Sequence, residues 1–227
     1  MFGVVVPTYN EADNIKVLIK EIRENVKDVT IIVIDDNSED GTAEIAKEMG
    51  AKVFVRTNEK GLGSALRFGL NKAVELGITR IATMDADLSH DPSYLPSMFN
   101  ASLNADLVVG SRYIEGGRIE NWPLKRRVIS KGANFLTKLL LHSSIQDNTS
   151  GYRVYSARAV EVISSCRNAG GYEFQICAVY KVLRNHLKVV EVPIIFRDRE
   201  KGSSKLSSGK MAKWLWYVIK LSLGITS

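Results

Sequence analysis

The first 111 residues alternate short runs rich in valine and isoleucine with amphipathic segments, and this alternation constrains the fold more than any other feature. The runs have the length of strands, and the segments between them space their apolar residues as one face of a helix requires. Repeated strand–helix units predict a mostly parallel, doubly wound α/β sheet flanked by helices. The predicted strands cover residues 2–6, 30–34, 52–55, 80–84 and 106–109.

The alternation is less regular after residue 111. Residues 114–125 contain paired glycines and a Trp-Pro step, and they are predicted to form a loop. Helices are predicted over 128–141, 157–165 and 174–185, followed by a strand over 189–196 that a proline interrupts. The basic residues 197–210 are rich in glycine and serine and are predicted to form a flexible loop. We expect residues 1–210 to form one domain and residues 211–227 to form a tail.

Polar loops follow four of the predicted strands, at residues 7–11, 35–41, 56–63 and 85–89. The carboxyl ends of parallel strands meet at one edge of a sheet, and ligands bind in the crevice outside that edge. In the last of these loops, Asp85 and Asp87 can converge on a hard divalent cation, which prefers oxygen ligands. Taken alone, such a pair is more often an exposed acidic turn.

A second acidic pair, Asp35 and Asp36, ends the second predicted strand. Ser38 or Asp40 suffices to cap the helix that follows, so capping leaves the pair itself unexplained. A carboxylate at this edge can accept hydrogen bonds from a nucleotide base or ribose. The pair therefore predicts a role in nucleotide binding.

Charge is divided unevenly along the chain. Residues 1–111 contain 11 Lys and Arg against 17 Asp and Glu, whereas residues 112–227 contain 20 against 8. An acidic first half suits a divalent metal, and a basic second half suits phosphates or an anionic membrane. The alternative is that both halves simply present solvated charged faces.

The cysteines and histidines provide no evident nucleophile or catalytic triad. Cys166 and Cys177 lack the spacing of metal ligands, and we expect two free thiols in a reducing compartment. His90 precedes an Asp-Pro step and is predicted to be a turn residue rather than a general base. A phosphomonoester acceptor needs no base, because it is largely dianionic at neutral pH.

The tail contains tryptophan, tyrosine and lysine, and its longest uncharged run is residues 214–219. Spanning a bilayer takes about 20 apolar residues, so the tail cannot cross a membrane alone. A helix lying in the membrane interface fits this composition. Two alternatives stay open, namely a terminal helix packed on the core and a chain that ends before membrane helices.

Six segments recur in the order and at the spacing of a known family: VPTYNE (6–11), DDNSEDGT (35–42), DADLS (85–89), GSRY (110–113), GYEFQ (171–175) and FRDREKGSSKL (196–206). Together they resemble glycosyltransferase family 2, and the last three resemble its polyprenol-phosphate mannosyltransferase branch. The likeness runs from about residue 3 to residue 206. Cys177 departs from it, because relatives often carry Glu at this position.

The resemblance implies a GT-A fold and an inverting transferase that moves mannose from GDP-mannose to dolichyl or another polyprenyl phosphate, giving dolichyl β-D-mannosyl phosphate. It implies Mg²⁺ or Mn²⁺ as cofactor and a place on the cytoplasmic face of a membrane, peripheral or anchored through the tail. Small membrane-anchoring subunits are further partners that it allows, whereas nucleic acid is not expected. Residues 1–111 then form the nucleotide and metal half, and residues 112–210 the acceptor half.

The resemblance also implies a role for each matching residue. The nucleotide-binding residues are Pro7, Tyr9, Glu11, Asp35, Asp36 and Asp85, and the metal ligands are Asp85, Asp87 and Ser89. The acceptor-phosphate residues are Arg112, Arg126 and Ser130, and the donor-phosphate residues are Arg197 and Lys205. The residues closest to catalysis are Asp87, Arg112 and Arg197.

Three other functions compete with this interpretation. A family 2 transferase with another donor, such as UDP-glucose, or with a soluble glycan acceptor needs the same first half but not a basic second half. A phosphatase of the haloacid dehalogenase type also places Asp-x-Asp after a strand, but it leaves the loops at 7–11 and 35–41 unexplained. A non-catalytic nucleotide-binding subunit has no positive feature in its favour.

Overall fold

The computed structural model describes residues 1–198 and 208–225. The strands in this part of the chain are β1 (Phe2–Thr8), β2 (Thr30–Asp35), β3 (Lys52–Val55), β4 (Arg80–Thr83), β5 (Leu107–Ser111), β6 (Arg118–Glu120), β7 (Arg153–Ser156), β8 (Val189–Pro193) and β9 (Ile195–Arg197). The α-helices are α1 (Ala12–Asn25), α2 (Thr42–Glu48), α3 (Leu62–Glu75), α4 (Leu95–Ser102), α5 (Leu124–Leu141), α6 (Ala157–Ile163), α7 (Glu173–Arg184) and α8 (Ser208–Ser222).

Among the described residues, one sheet has the strand order β3-β2-β1-β4-β7-β5-β8. All neighbours are parallel except β7, which runs antiparallel to both β4 and β5. The sheet is therefore mostly parallel and flanked by helices, which confirms the predicted fold class. A separate parallel pair, β6 with β9, lies outside this sheet.

The core lies on both faces of the sheet. Along β1, Val5 points into a cluster formed with α3, α6, α7 and α8, whereas Val4 and Val6 point into a cluster formed with α1 and α4. This alternation follows from the period of two in a strand. Strands buried on both faces read as continuous apolar runs, which is why the sequence identified these strands.

The second half differs from the prediction in three places. Strand β6 forms inside the predicted loop 114–125, and α5 begins at Leu124 rather than near residue 128. Strand β7 is absent from the prediction, because it has only four residues and begins with Arg153. The predicted loop at residues 197–210 lies largely outside the described residues, as does Lys205.

Arg153, the first residue of β7, is a structural residue. It is fully buried and donates hydrogen bonds to the backbone carbonyls of Asn148, Ser150 and Gln175. Backbone oxygens that lie away from water need such donors. Arg153 therefore stabilises the packed interior by satisfying these buried carbonyls.

The predicted tail corresponds to α8, which packs against α5 and α7. Tyr217, Val218 and Leu221 are buried in the core, while Trp216 and, just after the helix, Leu223 are exposed. In the described residues, no helix combines the length and apolar character that crossing a bilayer requires. The alternative of a terminal helix packed on the core thus applies to one face of α8.

The prediction of two free thiols is wrong. Cys166 and Cys177 form a disulfide, and both are buried. The bond joins the segment after α6 to the second turn of α7, and these elements pack side by side. A separation of 11 residues in sequence does not reveal this proximity, since it depends on how the chain turns between the helices.

Candidate active site

Asp35 occupies the carboxyl end of β2 and is completely buried. The Thr8 hydroxyl donates to its Oδ2 at 2.7 Å, and Ser38 donates through its backbone N–H at 2.8 Å and its hydroxyl at 2.6 Å. The carboxylate therefore joins β1 to the loop after β2. Asp35 was predicted to bind the nucleotide, whereas in the structure its carboxylate accepts hydrogen bonds from protein donors.

Asp36 lies beside it and forms a buried ion pair with Arg56, which follows β3. Arg56 donates to Asp36 Oδ1 from Nε at 2.8 Å, and Gly61 N donates to Oδ2 at 2.8 Å. Gly61 has a φ of +144°, and a Cβ there would lie 2.6 Å from the Gly170 carbonyl oxygen. Asp36 thus fixes the loop that leads into α3. Only 7% of the residue is exposed, so little of its surface is accessible to a ligand.

The predicted residues at the end of β1 lie at the same edge of the sheet. Pro7 is half-buried, and Tyr9 is 43% exposed with the Lys60 ammonium 4.6 Å from its ring centroid. Glu11 accepts a hydrogen bond from the Asn14 amide at 2.9 Å. An exposed aromatic ring with a nearby cation can stack on a base and attract phosphate.

Asp85 and Asp87 follow β4 in a tight turn. The Asp85 side chain is 41% exposed, and Leu88 takes a left-handed conformation with a φ of 61°. Ser89 is buried, and its hydroxyl donates to Asp87 Oδ1 at 2.6 Å. Ser89, a predicted metal ligand, therefore orients Asp87 in this structure.

The donor set of this turn suits a hard divalent cation, since Mg²⁺ is commonly bound by one or two carboxylates and completed by substrate phosphates. Within residues 1–198 and 208–225, no group of three or more Asp, Glu, His or Cys side chains forms a complete metal site. Two carboxylates with an adjacent hydroxyl fit a metal that a diphosphate helps to hold.

His90 supports the turn that contains Asp85 and Asp87. Its side chain is buried, and Nδ1 accepts a hydrogen bond from the Asp85 backbone N–H at 3.0 Å. The ring stacks on Tyr152 and meets the edge of Phe196, with centroid distances of 5.0 and 5.4 Å. Burial lowers the pKa of His90, which favours the neutral ring that this acceptor role requires. A supporting residue, rather than a base, fits these contacts.

Arg112 follows β5 and forms a buried, bidentate ion pair with Asp147. Its Nε and Nη2 each donate to an Asp147 carboxylate oxygen at 2.7 Å, and Nη2 also donates to the Thr149 hydroxyl at 2.8 Å. Burial by itself lowers the pKa of Arg112, but the charge and hydrogen bonds of Asp147 outweigh it and raise that pKa overall. Asp147 is completely buried, so it holds the guanidinium in place.

A cavity of about 340 Å³ opens beside Arg112, between β6 and α5. Its lining includes four cations, Arg112, Arg118, Arg127 and Lys131. Such a concentration of positive charge, largely from arginine, suits a phosphate. The structure thus adds neighbouring cations to the predicted acceptor-phosphate set.

The other two predicted acceptor-phosphate residues, Arg126 and Ser130, lie on α5. Arg126 places its guanidinium carbon 4.0 Å from the Trp122 ring centroid and donates to Asp198 at 2.8 Å. Ser130 accepts a hydrogen bond from the Tyr113 hydroxyl at 2.8 Å. Neither lines the cavity, although Ser130 contacts Tyr113 and Arg126 directly precedes Arg127, and both Tyr113 and Arg127 line it.

Arg197 lies in β9 with a side chain that is 62% exposed, and its Nε donates to Glu120 at 3.2 Å. Glu120 lies in β6, so this ion pair ties β9 to β6. Glu120 also pairs with Arg118, which lines the cavity, so the contact lies at one end of the cavity. The other predicted donor-phosphate residue, Lys205, lies outside the described residues. The structure does not bring Arg197 into contact with Asp85 or Asp87.

Sequence reasoning did not single out Asp147 or the role of Gln175. Asp147 lies in a polar run, residues 146–150, that precedes β7, and this run is the signal that the sequence offers for it. Gln175 Oε1 is buried and has no hydrogen-bond donor among the described residues. A Cβ added to Gly151 would lie 3.4 Å from Gln175 Nε2 and 3.7 Å from Asp85 Oδ1, so both side chains reach the same stretch of backbone.

The fold is a mostly parallel α/β sheet, and carboxylates, arginines and a cationic cavity follow the carboxyl ends of its parallel strands. The sequence model described as "Glycosyl transferase family 2" matches residues 3–164. The chain therefore belongs to glycosyltransferase family 2, and it is a glycosyltransferase, which confirms the predicted enzyme class.

Two curated relatives match nearly the whole chain. A polyprenol monophosphomannose synthase of Mycolicibacterium smegmatis is 39% identical over 226 residues, covering 93% of this chain and 85% of the relative. An undecaprenyl-phosphate mannosyltransferase of Micrococcus luteus is 37% identical over 211 residues, covering 90% and 87%. These relatives confirm the resemblance to the polyprenol-phosphate branch.

Solved structures with the same fold include glucosyl-3-phosphoglycerate synthase of Mycobacterium tuberculosis. Its complex with Mn²⁺, UDP and phosphoglyceric acid has a TM-score of 0.77 and 20% identity, covering 100% of this chain and 80% of that one. Its complex with Mg²⁺ and UDP has a TM-score of 0.71, again at 20% identity, covering 100% and 79%. At this identity the likeness establishes the fold alone.

Proposed function

We propose that the protein is a dolichol-phosphate mannose synthase, which transfers mannose from GDP-mannose to dolichyl or another polyprenyl phosphate at the cytoplasmic face of a membrane. The relatives named for polyprenol and undecaprenyl phosphate support the lipid acceptor and the sugar. The choice of guanine and of dolichol comes from the motif resemblance.

One observation carries this proposal: continuous side-chain contacts link the acidic turn to the cationic side of the site. His90 supports Asp85 and touches Phe196, and Phe196 lies 5.5 Å from the Arg112 guanidinium. The acidic turn and the Arg112 guanidinium are thereby linked through two aromatic rings, those of His90 and Phe196. A donor diphosphate with its metal and an anionic acceptor need both an acidic and a cationic group in one site.

The donor side consists of Tyr9, Asp36, Asp85 and Asp87 at the carboxyl ends of the strands. A divalent cation held by Asp85 and Asp87 would supply positive charge to the leaving diphosphate. Ser89 keeps Asp87 in place through its 2.6 Å hydrogen bond. The unpaired Gln175 oxygen suits a hydroxyl of the sugar, because a buried acceptor gains most from such a donor.

On the acceptor side, Arg112, with Arg126 and Ser130 nearby, holds the lipid phosphate. An oxygen of that phosphate attacks the anomeric carbon, the bond from this carbon to the diphosphate breaks, and GDP leaves. A single in-line displacement inverts the anomeric centre and gives a β-linked product from an α-linked donor. The dianionic phosphate is itself the nucleophile, so no general base is required.

The test offers the purified protein GDP-mannose or UDP-glucose, each with dolichyl phosphate, and measures sugar extracted into organic solvent. We expect product from GDP-mannose, its loss with EDTA, and a loss of at least about a hundredfold in kcat in Asp87→Asn. The matched control is Asp28→Asn, an exposed aspartate just before β2 at the opposite edge of the sheet.

Each outcome decides a separate part of the proposal. Absence of lipid-soluble sugar with either donor would refute it, and product from UDP-glucose alone would replace the donor. Full activity of Asp87→Asn in EDTA would remove the metal from the mechanism. A glycosyl group trapped covalently on the enzyme would contradict the single displacement.

A further inference from the structure

Two buried side-chain polar atoms have no hydrogen-bond partner within residues 1–198 and 208–225, namely Trp122 Nε1 and Gln175 Oε1. A buried donor or acceptor that stays unpaired destabilises the fold, and native proteins retain few of them. The Gln175 side chain lies on the donor side of the site near Asp85, whereas Trp122 lies on the acceptor side beside Arg112. The surroundings of Trp122 therefore indicate what its N–H can bind.

Trp122 is held in a short turn between β6 and α5. Asn121 before it has a left-handed φ of 62°, and Pro123 after it precedes the first residue of α5. Trp122 itself is 8% exposed, although Leu124 two residues later is 77% exposed. The turn therefore directs the indole ring into the protein where α5 begins.

The indole ring contacts the guanidinium groups of both predicted acceptor-phosphate arginines. The Arg126 guanidinium carbon lies 4.0 Å from the ring centroid, and the Arg112 guanidinium carbon lies 5.3 Å from it. A further neighbour is Phe196, whose ring centroid is 5.3 Å away at an interplanar angle of 71°. Indole attracts cations more strongly than the other side-chain rings do, so Trp122 stabilises the two arginines near one another.

None of these three neighbours can accept a hydrogen bond from the indole N–H in the usual way. An arginine side chain carries donors only, and a phenyl ring has no oxygen or nitrogen. The nearby carboxylates are already engaged, because Asp147 binds Arg112 and Asp198 binds Arg126. An anion that approaches the two arginines would supply the missing acceptor, and a phosphomonoester has three oxygens that can accept hydrogen bonds.

Packing alone does not account for an indole at this position. A phenylalanine would offer the arginines an aromatic face without burying an unpaired donor. The N–H therefore destabilises the free protein, and a bound anion would remove this effect. Because Trp122 is buried, access to its N–H requires a neighbour to move. The Arg126 side chain is 28% exposed, against 7% for Arg112, so Arg126 is the freer of the two.

We propose that Trp122 is a further acceptor-binding residue. Its indole N–H donates a hydrogen bond to the phosphate of the lipid acceptor, and its ring sets the separation of the Arg112 and Arg126 guanidinium groups. The proposal deepens the proposed function and rests on it for the phosphorylated acceptor. In the sequence, Trp122 was only part of a Trp-Pro step in a predicted loop.

The test measures binding of geranyl phosphate, a short water-soluble isoprenyl monophosphate, by calorimetry in the absence of donor. Trp122→Phe keeps an aromatic ring but removes the N–H, and Trp122→Leu removes both. The matched control is Trp216→Phe, the same substitution at a 59% exposed tryptophan of α8. Geraniol, which lacks the phosphate, shows whether binding depends on the anion. Circular dichroism and thermal unfolding verify that each variant is folded.

We expect Trp122→Phe to raise the Kd of geranyl phosphate at least about tenfold, which is the effect of one hydrogen bond to a charged group. Trp122→Leu should raise the Kd about threefold further, since the contacts of the ring with the two guanidinium groups are lost as well. Wild type and Trp216→Phe should bind geranyl phosphate alike, and neither should bind geraniol. If Trp122→Leu does not fold, Trp122→Phe alone decides.

A second readout separates ligand contact from a merely structural role. In transfer assays with dolichyl phosphate, Trp122→Phe should raise the KM for the acceptor and leave the KM for GDP-mannose unchanged. An unchanged Kd for geranyl phosphate in Trp122→Phe would overturn the proposal, and so would an equal rise in both KM values. Wild-type protein that binds geranyl phosphate no more tightly than geraniol would overturn it too.

Binding without donor also separates this proposal from the proposed function. Weaker binding of geranyl phosphate by Trp122→Phe, in a protein that transfers no mannose, would refute the function and leave the phosphate contact standing. Transfer of mannose with the same acceptor KM in wild type and Trp122→Phe would do the reverse.

Discussion

The ion pair between Arg112 and Asp147 should be the most costly single interaction in the site to break from one side. In Asp147→Asn the side chain keeps its shape, but Arg112 is left as a buried charge with 7% exposure and no carboxylate. Removing one partner of a buried pair costs about 3–5 kcal/mol, because the remaining charge is uncompensated. We expect a loss of that size in the free energy of unfolding.

The pH dependence of the free energy of unfolding tests whether the lost ion pair causes the destabilisation of Asp147→Asn. Burial by itself raises the pKa of Asp147, but the charge and hydrogen bonds of Arg112 outweigh it and lower that pKa overall. A carboxylate with a lowered pKa stabilises the fold above its unfolded pKa of about 3.9, and this contribution disappears as the pH falls through the folded value. The stability gap between wild type and variant should therefore be full at pH 7 and should narrow below about pH 4.

Urea unfolding at several pH values measures both effects. The control is Glu75→Gln, which removes an ion pair of the same 2.7 Å length between Lys72 and a 60% exposed glutamate. Exposed pairs contribute about 0–1 kcal/mol, so this variant should unfold close to wild type. If Asp147→Asn is as stable as Glu75→Gln at pH 7, or if its gap does not change with pH, the reasoning about the buried pair is wrong.

Two further predictions concern other parts of the structure. Thr8→Val removes one donor from the buried Asp35 and should lower the free energy of unfolding by about 1–3 kcal/mol in urea titration; an unchanged midpoint would mean that Ser38 alone satisfies the carboxylate. Replacing Cys166 and Cys177 together by alanine should cost about 3 kcal/mol, because the disulfide closes a loop of about a dozen residues. A reductant should then lower the melting temperature of the wild type but not of this variant, and an equal effect on both would refute the bond's contribution.

The sequence was sufficient for the parts of the fold that depend on local pattern. Strands buried on both faces are recognisable as apolar runs, and the loops after them must meet at one edge once the sheet is parallel. Strand β7 escaped prediction because it is short, antiparallel and begins with an arginine. The partners of that arginine, the carbonyls of Asn148, Ser150 and Gln175, are set by tertiary packing, which no local pattern records.

The two acidic pairs at the carboxyl ends of β2 and β4 illustrate the same limit within the site. Asp35 is completely buried and the Asp36 side chain is 10% exposed, whereas the Asp85 side chain is 41% exposed. A carboxylate that exchanges protein contacts for a ligand must break the hydrogen bonds that hold it, at about 1–3 kcal/mol for each buried group left unpaired. By exposure, Asp85 is therefore the most accessible of these three carboxylates for a ligand, whereas Asp35 and Asp36 hold the loops at this edge of the sheet. The carboxylates at this edge thus occur in two structural settings, a buried one that joins loops and an exposed one that a cation can reach.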